Sequence, residues 1–521
     1  MNNLIFAKNF SKNKLIIYFC VLITSGLVFR YIFFPYDIPL VLDSLGYFWY
    51  ATDLSITNNF PVTHDLPNNF WPTFVSIFFS MSNSQDFMDY MDIQRNLSLI
   101  FSVLTSVPLY FLAKKFVKNN LALLVPLIFI FEPRIIENSF TGITEPFFIF
   151  FVTSSLALFF NSQKKLILLS FILAGIFCLI RYEGLILTIA MFGILFFRYR
   201  NEKRDLIFAV LVIVVFLLVL TPMSIIRIDT MGYDGIFSHV GAGADVLTRE
   251  TFVTSESTIQ KVFPELGLQN FTKLFGWILI PTFTIFFPLG IFYFFKDRER
   301  NKIELILIGI CTLIPAAYAF YRGISDVRYF FIIFPILTIL EVYAIDRICN
   351  RLKKSDLIKL FLIIIIVVVS LVFFYVNNPD NDYEREIFLI SKEIYKISEG
   401  VNASYYPEGA YLRVSQLESI EFPITSIDAK SKMIFVSSMD EKTIEEYIKN
   451  GKENGLTHLI IDRKFIDSVE RSDNFLDDIF MNEENYSYLI KEFDSAQEGF
   501  SVHVKIFKID YEKFEFREKL D

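Results

Sequence analysis

The sequence predicts a polytopic α-helical membrane protein with an acidic, water-facing α/β segment at its C-terminal end. Three observations carry that prediction. Of 521 residues, 53% are hydrophobic, 61 of them phenylalanine, and the mean hydropathy is +0.45. Long apolar runs alternate with short basic loops. The net charge of −8 is unevenly split, because from Asn377 onward 31 acidic and 18 basic side chains give −13 and leave +5 before that point. No block is basic enough for nucleic acid.

Roughly eleven apolar stretches are long enough, or nearly so, to span a bilayer. They lie at about 15–34, 97–113, 121–131, 146–160, 166–180, 185–197, 206–226, 274–295, 303–320, 329–344 and 357–376. The first follows Lys8, Lys12 and Lys14 and lacks a small-residue cleavage site, so it reads as a retained signal anchor. Every second loop is basic: after the N-terminal lysines come Lys114/Lys115/Lys118, Lys164/Lys165, Arg198–Arg204, Lys296–Lys302 and Arg347–Lys359. These are the expected cytoplasmic loops. The others would face outward, together with the tail, in a multi-pass protein of the plasma membrane. Two parts are therefore expected: residues 1–376, a transmembrane module with long outer loops at 35–95 and 227–273, and residues 377–521, an extracytoplasmic α/β domain.

Within loop 35–95, segments 43–54 and 69–79 are apolar enough to lie as interfacial helices, with Trp49 and Trp71 at headgroup depth. Loop 227–273 is punctuated by glycines and reads as mobile. In the tail, 383–398 and 441–454 have helical spacing, while 432–437 and 456–462 read as strands, a βαβ pattern. A late strand at 501–511 would hairpin with 488–493. There is no glycine-rich phosphate fingerprint in the tail.

Charged residues at the outer ends of the spans are the candidate functional groups. Asp43, in Leu42-Asp-Ser-Leu-Gly-Tyr47, is an acid among aliphatic and aromatic neighbours, a setting expected to raise its pKa. Glu145 precedes Pro146 at a helix start, Arg181-Tyr-Glu-Gly184 joins two apolar runs, and Arg328 opens another. Each alone is compatible with a helix cap, a buried ion pair or a snorkelling side chain. Together they describe a charged outer cavity.

These residues, in this order and on these faces, resemble the GT-C superfamily of membrane glycosyltransferases, in particular protein O-mannosyltransferases and the bacterial aminoarabinose and RgtA-like transferases. The likeness rests on Asp43 after the first span, Arg95-Asn-Leu-Ser98, Pro133 with Glu145, Arg181–Gly184 and Arg328–Pro335. It implies an inverting transfer of a sugar, mannose or another hexose, from a polyprenyl-phosphate donor to a hydroxyl of a protein, lipid or glycan acceptor outside the membrane. Asp43 would be the general base. Arg328 and Arg181, then Arg95 and Arg134, would bind the donor phosphate, and Glu145, Glu183, Tyr47 and His239 would line the cavity. Many mannosyltransferase relatives carry two adjacent acids in the first loop, whereas Asp43 is followed by Ser44. No cofactor is indicated, and a divalent cation is left open. The tail lacks tryptophan, which argues against the Trp-Trp-Asp-Tyr-Gly block of oligosaccharyltransferases.

The alternative is a transporter or lipid flippase, which would place charge along a pathway and break helices near the midplane. The histidines (His64, His239, His458, His503) and cysteines (Cys20, Cys178, Cys311, Cys349) show no metal-ligand spacing. Asn270, Asn402 and Asn485 begin sequons.

Overall fold

The computed structural model describes residues 12–62, 66–118, 121–200, 203–246, 251–253, 259–261, 263–352, 356–377, 381–397, 402–406, 420, 422, 435–436, 443–453, 455–463 and 475–518. His64 and most of the strand expected at 432–437 lie outside the described residues.

The chain runs through α1 (Lys12–Ile32), α2 (Asp43–Thr57), α3 (Phe70–Phe79), α4 (Phe87–Leu104), α5 (Ser106–Ala113), α6 (Leu124–Ile130), α7 (Pro133–Phe140), α8 (Glu145–Phe159), α9 (Lys164–Ile180) and α10 (Gly184–Tyr199). It continues through α11 (Lys203–Met231), α12 (Phe237–Val246), α13 (Pro264–Leu279), α14 (Phe283–Asp297), α15 (Arg300–Thr312), α16 (Ile314–Tyr321), α17 (Phe334–Arg351) and α18 (Asp356–Asn377). Among the described residues six helices, some joined across a short break, are long and apolar enough to cross a membrane. This is a membrane protein.

The roughly eleven expected crossings resolve differently. The run expected at 274–295 is two helices, α13 and α14, meeting at 100°. The break falls at Ile280-Pro281, where Ile280 is extended, as a residue before proline prefers. Counting that bent pair gives up to seven spans, and α3, α8, α10 and the 121–130 segment are shorter apolar helices. The glycine-punctuated outer loop also differs from expectation, since α11 persists to Met231 and α12 and α13 occupy much of the rest.

Helices α2 and α3 form where expected, but Trp71 is fully buried. Its Nε1–H donates to the Gly142 carbonyl at 3.1 Å, so it packs into protein and not into headgroups.

A short antiparallel pair, β1 (Thr251–Val253) with β2 (Ile259–Lys261), precedes α13, and the C-terminal part holds α19 (Asp382–Ile397) and a five-stranded sheet in the order β4-β3-β5-β7-β6. The strands are β3 (Asn402–Tyr406), β4 (Phe435–Val436), β5 (Leu456–Asp462), β6 (Leu489–Asp494) and β7 (Val504–Ile509). The hairpin of β6 and β7 is antiparallel. The β4 to β5 crossover is a parallel βαβ unit, with Ile444–Glu453 as its helix and β3, absent from the sequence reading, inserted between the strands. This part touches the helical part beside the first loop. Arg385 Nε donates to Asp37 at 2.5 Å, and Phe422 packs on Phe87 and Tyr90 at the start of α4, with Phe388 also against Phe87.

Candidate active site

Asp43 is the first residue of α2, and Glu145 is the first of α8, where Pro146 suits a helix start because its missing N–H would have no intrahelical partner anyway. These two helix starts are tied together by backbone carbonyls. Gln94 of α4 donates to Ser44 O at 3.0 Å and Gly142 O at 2.8 Å, Trp71 donates to the same Gly142 carbonyl, and Ser44 Oγ donates to Thr141 O at 2.5 Å. Gly142 has φ +70°, and a Cβ there would meet Leu40 Cδ2 at 3.1 Å. The positive φ is what calls for glycine here, and a Cβ would in addition press on the Leu40 side chain. Leu42, with φ 52°, also sits in the left-handed region immediately before Asp43, a costly conformation for a branched side chain.

Around these starts lies a pocket of about 190 Å³ lined by Asp43, Tyr47, Glu145, Arg181, Glu183 and Arg328, with Asn68, Tyr182, Asp326 and Tyr329 completing it. Arg328 Nη2 donates to Asp43 Oδ2 at 3.0 Å, and its Nε donates to Asp326 Oδ2 at 2.6 Å. Asp326 also accepts from the Arg328 backbone N–H at 2.8 Å, capping the 3₁₀ turn Val327–Ile333 that leads into α17. Arg181 grips Glu183 through two bonds, Nη2 at 2.8 Å and Nε at 3.4 Å, and pairs with Glu145 through Nη1. Burial works against the charge on Arg181, but Glu183 and Glu145 prevail and hold the guanidinium firmly protonated. Burial pushes the Tyr47 hydroxyl well above its usual range, so it stays a neutral donor.

The Asp43 side chain is 59% exposed and that of Arg328 33%, whereas Arg181 and Glu145 are 14% and 7% exposed. The apolar seat expected for Asp43 is therefore absent; its carboxylate faces water and a cation. Adjoining the charged pocket is a small gap of about 30 Å³ between Phe148, Ile149, Leu187, Pro315 and Ile332, which shares Glu145, Arg181 and Arg328 with the pocket.

Three sequence candidates lie outside this lining. Arg95 is 3% exposed on α4 and pairs with Asp92 at 3.5 Å. Arg134 turns away to the α13–α14 break, donating to Ile280 O at 2.5 Å and Trp277 O at 2.6 Å. It adds a donor to carbonyls at the end of α13, of which Trp277 O also accepts from the Ile280 N–H at 3.2 Å. His239 is on α12, tilted against Tyr182 and Tyr233 at ring distances of 4.9 and 5.2 Å, one side chain removed from the pocket. Asn68, Tyr182 and Tyr329, by contrast, were not singled out by the sequence. An Arg-Tyr repeat does mark two of them, since Tyr182 and Tyr329 directly follow Arg181 and Arg328.

Among the described residues no group of three or more His, Cys, Asp or Glu side chains is arranged to hold a metal. The pocket carboxylates are instead taken up by the two arginines.

The fold is shared with solved structures. ArnT from Cupriavidus metallidurans bound to undecaprenyl phosphate aligns with a TM-score of 0.58 at 11% identity, over 96% of this chain and 98% of that one. The Archaeoglobus fulgidus oligosaccharyltransferase in its apo form aligns with a TM-score of 0.56 at 12% identity, covering 87% and 70%. The oligosaccharyltransferase AglB from the same organism, in complex with an inhibitory peptide and a dolichol-phosphate, aligns with 0.52 at 11% identity, again over 87% and 70%. No curated protein matches by sequence. The family described as "Predicted membrane protein (DUF2079)" matches residues 97–406, well over half of the chain, and the protein belongs to that family.

Proposed function

We propose that the protein is an inverting glycosyltransferase that moves a sugar, a hexose such as mannose, from a polyprenyl-phosphate carrier to a hydroxyl acceptor at the extracytoplasmic face of the plasma membrane. The observation that carries this reading is the Asp43–Arg328 pair in a charged pocket bordered by apolar side chains such as Phe148, Ile149 and Ile332. A lipid-phosphate sugar needs those three features together: a base, a cation and apolar side chains beside its tail. The fold shared with ArnT and AglB, solved with undecaprenyl phosphate and a dolichol-phosphate, supports the choice of donor.

Asp43 accepts the proton of the acceptor hydroxyl as its oxygen attacks the anomeric carbon. The bond from that carbon to the phosphate oxygen breaks on the opposite face through an oxocarbenium-like transition state, so the configuration inverts. The departing phosphate takes the guanidinium of Arg328, which matches it in shape and charge. Without donor, Arg328 is occupied by Asp43 and Asp326. Phosphate binding therefore releases Asp43 as it fills the site. Arg181, held by two carboxylates, positions Glu145 and Glu183 around the sugar. No step is routed through a metal.

The bent pair α13–α14 is the kind of broken helix a transporter would show, but the break at Ile280–Thr282 lies outside the pocket lining. The test is transfer by purified protein from a synthetic polyprenyl-phosphate hexose, with the anomeric configuration of the product read by NMR. Retention of configuration, or no transfer alongside vectorial movement of lipid, would overturn the reading.

A further inference from the structure

The end of the bundle away from Asp43 contains a second cavity, of about 720 Å³. It lies beside the second half of the span 87–113, which α4 and α5 form together. α4 ends at Leu104 and α5 begins at Ser106, with Pro108 in its first turn, where proline cannot donate a helical N–H. Between α5 and the far ends of α8 and α9 lies a groove walled by Val107, Pro108, Phe111, Phe150, Leu158 and Leu166, with the Ser154 hydroxyl turned back to the Phe150 carbonyl at 2.7 Å. Lys114, Lys115 and Asn161 stand at its mouth. Both lysines are exposed, and the Lys114 ammonium lies 5.4 Å from the Tyr110 ring. This mouth is at the Arg198 end of the molecule, because Arg198 Nη1 donates to Phe159 O, at the last residue of α8, at 3.1 Å.

We propose that this groove binds an anionic phospholipid of the leaflet opposite the Asp43 pocket, with an acyl chain along the apolar wall and the phosphate between Lys114 and Lys115. The walls favour a hydrocarbon chain, since they are almost wholly apolar and the Ser154 hydroxyl already donates to Phe150 O. The two ammonium groups select a negative headgroup over a zwitterionic one. Length argues for a bilayer phospholipid over a polyprenyl carrier. From Phe150 to Phe159 the helix rises about 14 Å, close to half of a ~30 Å hydrocarbon core. A single-leaflet chain fills that distance and a long isoprenoid overruns it. The site is separate from the glycosyl-transfer pocket and does not depend on that reading.

The experiment uses the full-length protein with Phe111→Trp as reporter, because Phe111 is 48% exposed at the groove. Quenching by brominated phosphatidylglycerol is compared with quenching by brominated phosphatidylcholine, after subtracting the native tryptophans measured without the reporter. The expected result is a several-fold preference for the glycerol lipid, abolished by Lys114→Gln/Lys115→Gln. It should persist in Lys12→Gln/Lys14→Gln, which removes charge from α1 at the same end. Unchanged thermal transitions would show that the variants remain folded. Equal quenching by both lipids, or a preference that survives loss of Lys114 and Lys115, would overturn the proposal. So would a preference lost equally in the α1 variant, which would indicate a diffuse surface field. Displacement of the phospholipid by equimolar undecaprenyl phosphate would overturn the assignment to a bilayer lipid.

Discussion

Arginines and carboxylates meet at both ends of the helical bundle, under different conditions. At the end away from Asp43, Arg198 of α10 bonds Glu304 of α15 at 3.2 Å, and Lys302 bonds Asp297 at 2.7 Å and the Tyr343 hydroxyl at 2.7 Å. The Arg198 and Glu304 side chains are 13% and 8% exposed, and that of Lys302 is 4% exposed. Those pairs join helices to one another. At the Asp43 end the inner pair, Arg181 with Glu145, is equally enclosed, but Arg328 and Asp43 stand half in water around a cavity. An enclosed pair can be broken only at the cost of leaving a charge buried, whereas a half-exposed one can exchange a partner for a ligand. The first kind holds the fold, and the second is available for chemistry.

The largest expected effect comes from removing the exchangeable acid. Asp43→Asn should lower transfer by roughly 10²–10⁴-fold, the usual contribution of a general base, with the thermal transition unmoved. Near-normal turnover would erase the distinction between the two ends. Next, Glu304→Gln should cost about 3 kcal/mol of stability by stranding Arg198, while turnover per folded molecule stays constant. A calorimetric scan in detergent, paired with an activity titration, measures both. Smaller again is Arg328→Lys, which keeps the charge and loses the planar fork; a roughly tenfold weaker hold on polyprenyl phosphate is expected, read by isothermal titration.

The smallest concerns a third setting, His458 in β5, with Nε2 3.1 Å from Glu492 and only 3% of the residue exposed. Burial lowers the pKa of this imidazole despite Glu492. The unfolded chain thus binds the proton more readily. The stabilisation from neutral His458 is complete above the ordinary histidine value and lost as pH falls through the lower folded one. Thermal scans from pH 7.5 to 5 should show a decline that His458→Gln removes; an equal decline in that variant would place the titration elsewhere.

Much of this arrangement was legible in the sequence because sidedness is a one-dimensional property. The alternation of basic loops put Asp43, Glu145, Arg181 and Arg328 at one end, and the folded chain gathers them in one pocket. The direction a side chain takes from its helix end is not written in that pattern. Arg95 and Arg134 satisfy the same rule yet serve Asp92 and the end of α13. Equally hidden was the clamp of Gln94, Trp71 and Gly142, whose hydrogen bonds join three distant segments through backbone carbonyls and leave no periodicity. The bend in one apolar run was hidden for a related reason. Hydropathy registers composition, and it does not register that Pro281 turns one run into two helices.

The seam between Arg385 and Asp37, reinforced by Phe422 on Phe87 and Tyr90, sets a limit on how the protein can be shortened. A chain ending at Asn377 would uncover two aromatic faces at the start of α4, the helix whose Gln94 fixes Ser44 beside the acid. Such a truncate should self-associate through that bared patch and lose its grip on the Asp43 loop together. The sheet-bearing part thereby acts as a clasp on the membrane part.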